Sequence, residues 1–190
     1  MYIDQINNKK FNFILYLPIP LVFLGLIVMN FFATEDVNVE EMMQMMINEL
    51  GTNLTFAIMV GQLAVCCVIL LFWVKFIHGQ SIRSLTTSRK KVDWKRIFFS
   101  FSVWGTFTVL TTLILYYLSP ESFVINFDPI KFFPFLLLAI LLIPLQTSFE
   151  EYLFRGYLMQ GIGVATKSRL IPLIITSITF GVMHIANPEV

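Results

Sequence analysis

Five stretches of this chain, each of 18 or more residues, contain no Asp, Glu, Lys or Arg: residues 11–34, 51–74, 97–120, 132–149 and 170–188. A helix needs about 20 apolar residues to cross the ~30 Å hydrocarbon core of a bilayer. Within a bilayer the backbone must satisfy its own hydrogen bonds, which leaves helices as the solution for such runs. The expected fold is therefore all-α: a polytopic membrane helix bundle with five transmembrane helices. Composition agrees. Hydrophobic residues make up 57% and charged residues 13%, against about 45–50% and 25% in soluble domains. These figures exclude a soluble enzyme, a disordered tail and a nucleic-acid binder. The net charge of +1 recruits no partner by itself. Cys66 and Cys67 are adjacent inside an apolar run, so there is neither a disulfide framework nor a CxxC site.

The first stretch holds Pro18 and Pro20, which mark a kink or a helix start. It is too long for the apolar region of a signal peptide. The loops between stretches alternate in charge. Lys9 and Lys10 precede the first, and Lys75, Arg83, Arg89, Lys90, Lys91, Lys95 and Arg96 follow the second against one acid, Asp93. Lys167 and Arg169 lie between the fourth and fifth. The first loop has Glu35, Asp36, Glu40, Glu41 and Glu49 with no base, and the third has Glu121, Asp128 and Lys131. The positive-inside rule places the N-terminus and the basic loops in the cytoplasm. Between the first two stretches, Val39, Met42, Met43, Met46, Ile47 and Leu50 share one helical face, and Asn38 followed by Glu41 resembles a capping box. This predicts a short interfacial helix on the outer surface.

The fourth stretch runs into Phe149-Glu150-Glu151-Tyr152-Leu153-Phe154-Arg155-Gly156. Three charges on one membrane helix cost roughly 8–10 kcal/mol near the bilayer centre. The twelve Leu, Ile and Phe residues of 132–149 return roughly 4–7 kcal/mol. The charges must therefore pair, reach the interface or face a wet cavity. Glu151 and Arg155 stand at i, i+4 in the favourable order and form a pair. Glu150 is rotated about 100° away and stays uncommitted, free to take a proton from water.

A turn near Thr166-Lys167 is expected, with the fourth helix running roughly from Lys131 to Gly163 and bent near Pro144. Glu150 and His184 are each about 17 residues from that turn. At about 1.5 Å per residue they lie at similar depth in a helical hairpin. Ser177, Phe180, Gly181, His184 and Asn187 form a stripe expected to pack inward on another helix. Gly156, Gly161 and Gly163 are expected to permit close packing.

Glu150-Glu151-x-x-x-Arg155 followed by Phe180-x-x-x-His184 resembles the CPBP family, the CaaX-protease and bacteriocin-processing membrane proteins, also called Abi proteins or type II CaaX endopeptidase homologues. The resemblance covers roughly residues 130–188. It implies an intramembrane glutamic endopeptidase acting on a membrane-associated or lipidated substrate, in CaaX-type processing or in bacteriocin maturation or immunity. Glu150 would activate water and His184 would assist. Glu151, Arg155, Phe180 and Asn187 would support them. On this reading residues 1–130 are the first three spans with their loops, and 131–190 begin the peptidase domain in a bacterial plasma membrane. The family's later motif, a second histidine followed by Asn or Asp, does not occur before Val190, so the chain is expected to be a fragment.

No cofactor is implied. HExxH is absent, and a zinc site on Glu150, Glu151 and His184 lacks the usual further ligand. Cys66 and Cys67 read as core residues rather than nucleophiles. The competing function is a non-enzymatic membrane protein, a transporter, proton relay or scaffold, using the same intramembrane charges.

Overall fold

The computed structural model describes residues 5–6, 11–34 and 38–184, whose regular secondary structure is helical, with no strand among them. In chain order the helices are α1 (Pro18–Thr34), α2 (Val39–Leu50), α3 (Thr52–Phe76), α4 (Ile82–Thr86), α5 (Trp94–Leu118), α6 (Pro129–Glu151), a π-helical turn (Tyr152–Leu158), α7 (Met159–Thr166) and α8 (Leu170–His184). Among the described residues, three continuous helices are long and apolar enough to cross a membrane: Thr52–Phe76, Trp94–Leu118 and the 38-residue run Pro129–Thr166. Phe13–Met29 and Leu170–His184 are shorter apolar helices. The protein is thus an all-helical polytopic membrane bundle, with five crossings as the sequence reading.

Local chemistry explains the boundaries. A short 3₁₀ turn, Phe13–Tyr16, precedes α1. Pro18 then opens α1, because proline suits a first turn that lacks hydrogen-bond partners anyway. Asn38 caps α2: its side chain accepts from the Glu40 and Glu41 amides. Its own amide donates to the Glu41 carboxylate at 3.2 Å. The sequence-predicted box therefore forms, with the side-chain nitrogen of Asn38 as donor in place of its backbone. Asp128 caps α6 ahead of Pro129. Lys167, in the left-handed conformation at φ 53°, ends α7 and makes the turn into α8.

The fourth sequence-predicted helix is longer than expected by residues at each end, and Pro134 and Pro144 both lie inside it. Its irregularity is the π turn immediately after Glu151.

The core sits where α3 packs lengthwise on α6 and where the N-terminal segment, α4 and the π turn converge. Cys67, Leu70 and Val74 of α3 are fully buried there, beside Phe149 and Leu153. Phe23 of α1 meets Phe149 edge-on at 4.9 Å between ring centroids. Gly161 faces the Tyr16 ring so closely that a Cβ there would lie 2.5 Å from Tyr16 Cδ1. That is the close packing expected of this glycine.

Candidate active site

Glu151 and Arg155 form the expected i, i+4 ion pair, with Arg155 Nη1 donating to Glu151 Oε1. Both side chains are at least half exposed, so this chain does not bury the pair. The Arg155 guanidinium also lies 5.7 Å from the centre of the Phe180 ring, a cation–π distance. Phe154 meets the same ring edge-on at 5.4 Å. Two consecutive residues of the π turn thus grip Phe180 of α8, joining the two sequence motifs through one aromatic ring.

Phe180 in turn governs His184. The rings are 4.5 Å apart. His184 Nδ1 is 2.8 Å from the Phe180 carbonyl oxygen. A carbonyl can only accept, so Nδ1 carries the proton and, in neutral His184, Nε2 holds the lone pair. Glu150 is half-buried and within electrostatic reach of both His184 and Glu151. The helical hairpin thus places Glu150 and His184 within electrostatic range of one another. Asn187 lies outside the described residues.

The packing face of α8 differs from the expected stripe. Ser177 and Gly181 are exposed, and no atom lies within 4 Å of a Cβ built on Gly181. Pro172 and Thr176 are buried, while Phe180, Met183 and His184 are half-buried. The main contacts of α8 are with α7 and the π turn, on the side marked by buried Pro172 and Thr176 and by Phe180. Phe180 and His184 thus sit at the edge of the contact rather than at its centre.

A recess of 400 Å³ opens beside the ion pair, lined by Thr86, Thr147, Ser148, Glu151, Tyr152 and Arg155 among others. Four hydroxyl-bearing side chains and two charges line it at the end of an apolar helix. Thr86 Oγ1 donates to the Ile82 carbonyl, so the Tyr152 hydroxyl, 3.0 Å away, donates to Thr86. Among the described residues, no three His, Cys, Asp or Glu side chains gather closely enough to hold a metal ion. Cys67 is buried in the α3 core and Cys66 is partly buried.

Behind the π turn lies a cluster that sequence reasoning missed. The Tyr157 hydroxyl donates to the Leu15 carbonyl at 2.8 Å and sits 2.9 Å from His78 Nε2. Its one hydrogen is committed to Leu15, so His78 Nε2–H is the donor between them. Trp73 Nε1 donates to the same Leu15 carbonyl at 3.1 Å. Tyr16 stacks on Tyr157 at 4.6 Å and packs on His78 at 4.2 Å. Fully buried Gln160 accepts from Gln80 and donates to the Ser84 carbonyl. The one hint in the sequence was tyrosine and glutamine recurring on an otherwise apolar helix.

The fold is that of a helical membrane protein in which the π turn after the paired glutamates packs on the histidine-bearing α8. Residues 129–190 match the family described as Type II CAAX prenyl endopeptidase Rce1-like, which bears out the resemblance read from the two motifs. The chain is also similar to the uncharacterized protein YyaK of Bacillus subtilis (strain 168), 38% identical over 117 residues. That alignment covers 61% of this chain and 39% of the length of YyaK. No solved structure matches the chain.

Proposed function

We propose that the protein is an intramembrane endopeptidase that hydrolyses a peptide bond in a membrane-associated or lipidated protein. The observation that carries this is that Glu150 lies within electrostatic range of a histidine whose Nδ1 is held by the Phe180 carbonyl. Glu150 and His184 Nε2 can then hold one water between them. Glu150 takes a proton from that water as its oxygen attacks the scissile carbonyl, and the C–N bond breaks as the proton passes to the leaving amine. Glu151 is paired with Arg155 and is left out of the chemistry; the pair and Phe180 orient the two helices. Residues 1–130 act as the membrane scaffold and 131–190 as the start of the peptidase domain. The match at 129–190 to the CAAX endopeptidase family supports this reading, and a prenylated CaaX-type peptide is the first substrate to try.

The test is cleavage of a membrane-anchored, prenylated reporter by the reconstituted full-length protein. Glu150→Gln preserves shape and hydrogen-bonding capacity but cannot accept the water proton. It should abolish cleavage with folded yield near normal. Near-wild-type cleavage by this variant contradicts the mechanism. A block in transport or partner binding, with no substrate ever cut, favours a proton relay or scaffold instead.

The reading also sets an orientation, with the basic loop after α3 in the cytoplasm of a bacterial plasma membrane and α2 outside. Single cysteines at Gln44 and Ser88, in a background lacking Cys66 and Cys67, test it with an impermeant thiol reagent. In intact cells Gln44 should label and Ser88 should be protected; the reverse overturns the orientation.

A further inference from the structure

The π turn lies, along the chain, between the two members of the proposed site. Glu150 precedes Tyr152–Leu158, and His184 follows it through α7 and the tight turn at Lys167. A π turn holds one more residue per hydrogen-bonded ring than an α turn and is uncommon because its geometry is poorer. It persists only where surrounding contacts on its two sides are out of step with a continuous α-helix. Both sides are fixed here. Upstream, α6 is packed on α3 and Phe149 is locked against Phe23. At its downstream end Tyr157 is tied to Leu15 and His78, and beyond it Gly161 is wedged under the Tyr16 ring.

In a continuous α-helix, Tyr152 and Tyr157 would stand about 140° apart at 3.6 residues per turn. In the structure both hydroxyls reach the same segment before and within α4: Tyr152 through Thr86 and Tyr157 through His78. Gln160 continues the row through Ser84 and Gln80. The wider turn is what lets the three side chains face one way while Phe154 and Arg155 face α8.

We propose that Tyr157 is a positioning residue. Its hydroxyl, held between the Leu15 carbonyl and His78 Nε2, locks the π turn and so fixes the rotation of the α7–α8 hairpin that carries His184. Without that lock the extra residue can anneal into an α turn. The downstream hairpin then rotates and carries His184 away from the glutamate. The bearing on catalysis rests on the endopeptidase reading; the rotation does not.

The experiment uses the full-length protein in lipid, with Cys66 and Cys67 replaced by alanine and spin labels on Leu141→Cys and Val182→Cys. Both positions are exposed and stand on opposite sides of the π turn. The parent should give one narrow label–label distance, and adding Tyr157→Phe should add a second population. In the unlabelled protein, Tyr157→Phe should lower kcat at least tenfold on a prenylated CaaX-type peptide while KM stays within twofold. His78→Gln, which keeps an N–H donor, should retain most activity, whereas His78→Leu should behave like Tyr157→Phe. Identical distance distributions with and without the hydroxyl overturn the lock, whatever the protein cuts. A second population with unchanged kcat overturns its bearing on the reaction. A parent protein that cuts nothing brings down the endopeptidase reading and leaves the distances to judge the lock.

Discussion

α5 and the run from α6 to α7 are both long apolar helices, yet they have opposite fates. α5 buries none of its residues, and its main contact is the short turn Pro120–Ser122. Its threonines at 108, 111 and 112 donate to their own helix's carbonyls. The π turn and α7 bury Leu153, Phe154, Tyr157, Gln160 and Gly161, and their polar groups reach partners 66–142 residues away. Hydropathy alone sees two membrane helices. The difference lies in long-range polar commitments: side chains that bond across the fold mark a helix that must be held in one rotation.

The comparison breaks most visibly at its glycines. Gly161→Val places side-chain atoms inside the Tyr16 ring, while Gly105 of α5 has nothing within 4 Å of a built Cβ. Overpacking costs about 1–3 kcal/mol and sometimes more. Gly161→Val should therefore lower folded stability by about 3 kcal/mol and Gly105→Val by less than about 0.5. Equal effects in a denaturant titration in detergent would erase the distinction.

The buried amide comes next. Gln160→Leu strands the Ser84 carbonyl and the Gln80 side chain, at a cost of about 1–3 kcal/mol. Thr108→Val on α5 removes only a hydroxyl bonded within its own helix and should fall within about 0.5 kcal/mol of the parent. A costlier Thr108→Val would show that α5 has a polar partner in the whole protein.

Glu151 and Arg155 should give a smaller effect. Both are at least half exposed, so a double-mutant cycle with Glu151→Gln and Arg155→Leu should show coupling of about 0.2–1 kcal/mol. Several kcal/mol would mean that further elements bury the pair.

The smallest expected effect is the pH response of His78. Burial lowers its pKa, partly offset by the nearby Leu15 carbonyl. A histidine lowered in the folded state lends stability that is complete above its unfolded value of about 6.5. That stability fades as pH falls through the folded value, because the unfolded chain then binds more protons. His78→Gln should flatten this acid-side slope in thermal melts between pH 5 and 7; an unchanged slope would remove His78 as its source.

Much of this was legible in sequence because it is local. Charge-free lengths found the helices, Asn38 announced its cap, and four-residue spacing gave the Glu151–Arg155 pair. The turn at Lys167 followed from a break in the apolar pattern. The π turn was not legible: no residue type favours it, and it arises from packing on either side. The Tyr16–His78–Tyr157 cluster escaped for the same reason, since its members come from three separated segments. The face of α8 was misjudged at Ser177 and Gly181 because small residues can meet lipid as readily as a helix, and only the neighbours decide.

The central claim is that Glu150 and His184 act on one water. Its most direct test is a double-mutant cycle in cleavage rate for the reconstituted full-length protein, using Glu150→Gln, His184→Ala and the pair. Residues of one catalytic unit are strongly non-additive. Each single variant should lose activity by a comparable factor, and the double should be little worse than either. Losses that multiply, or a Glu150→Gln enzyme that still cuts, would contradict the account.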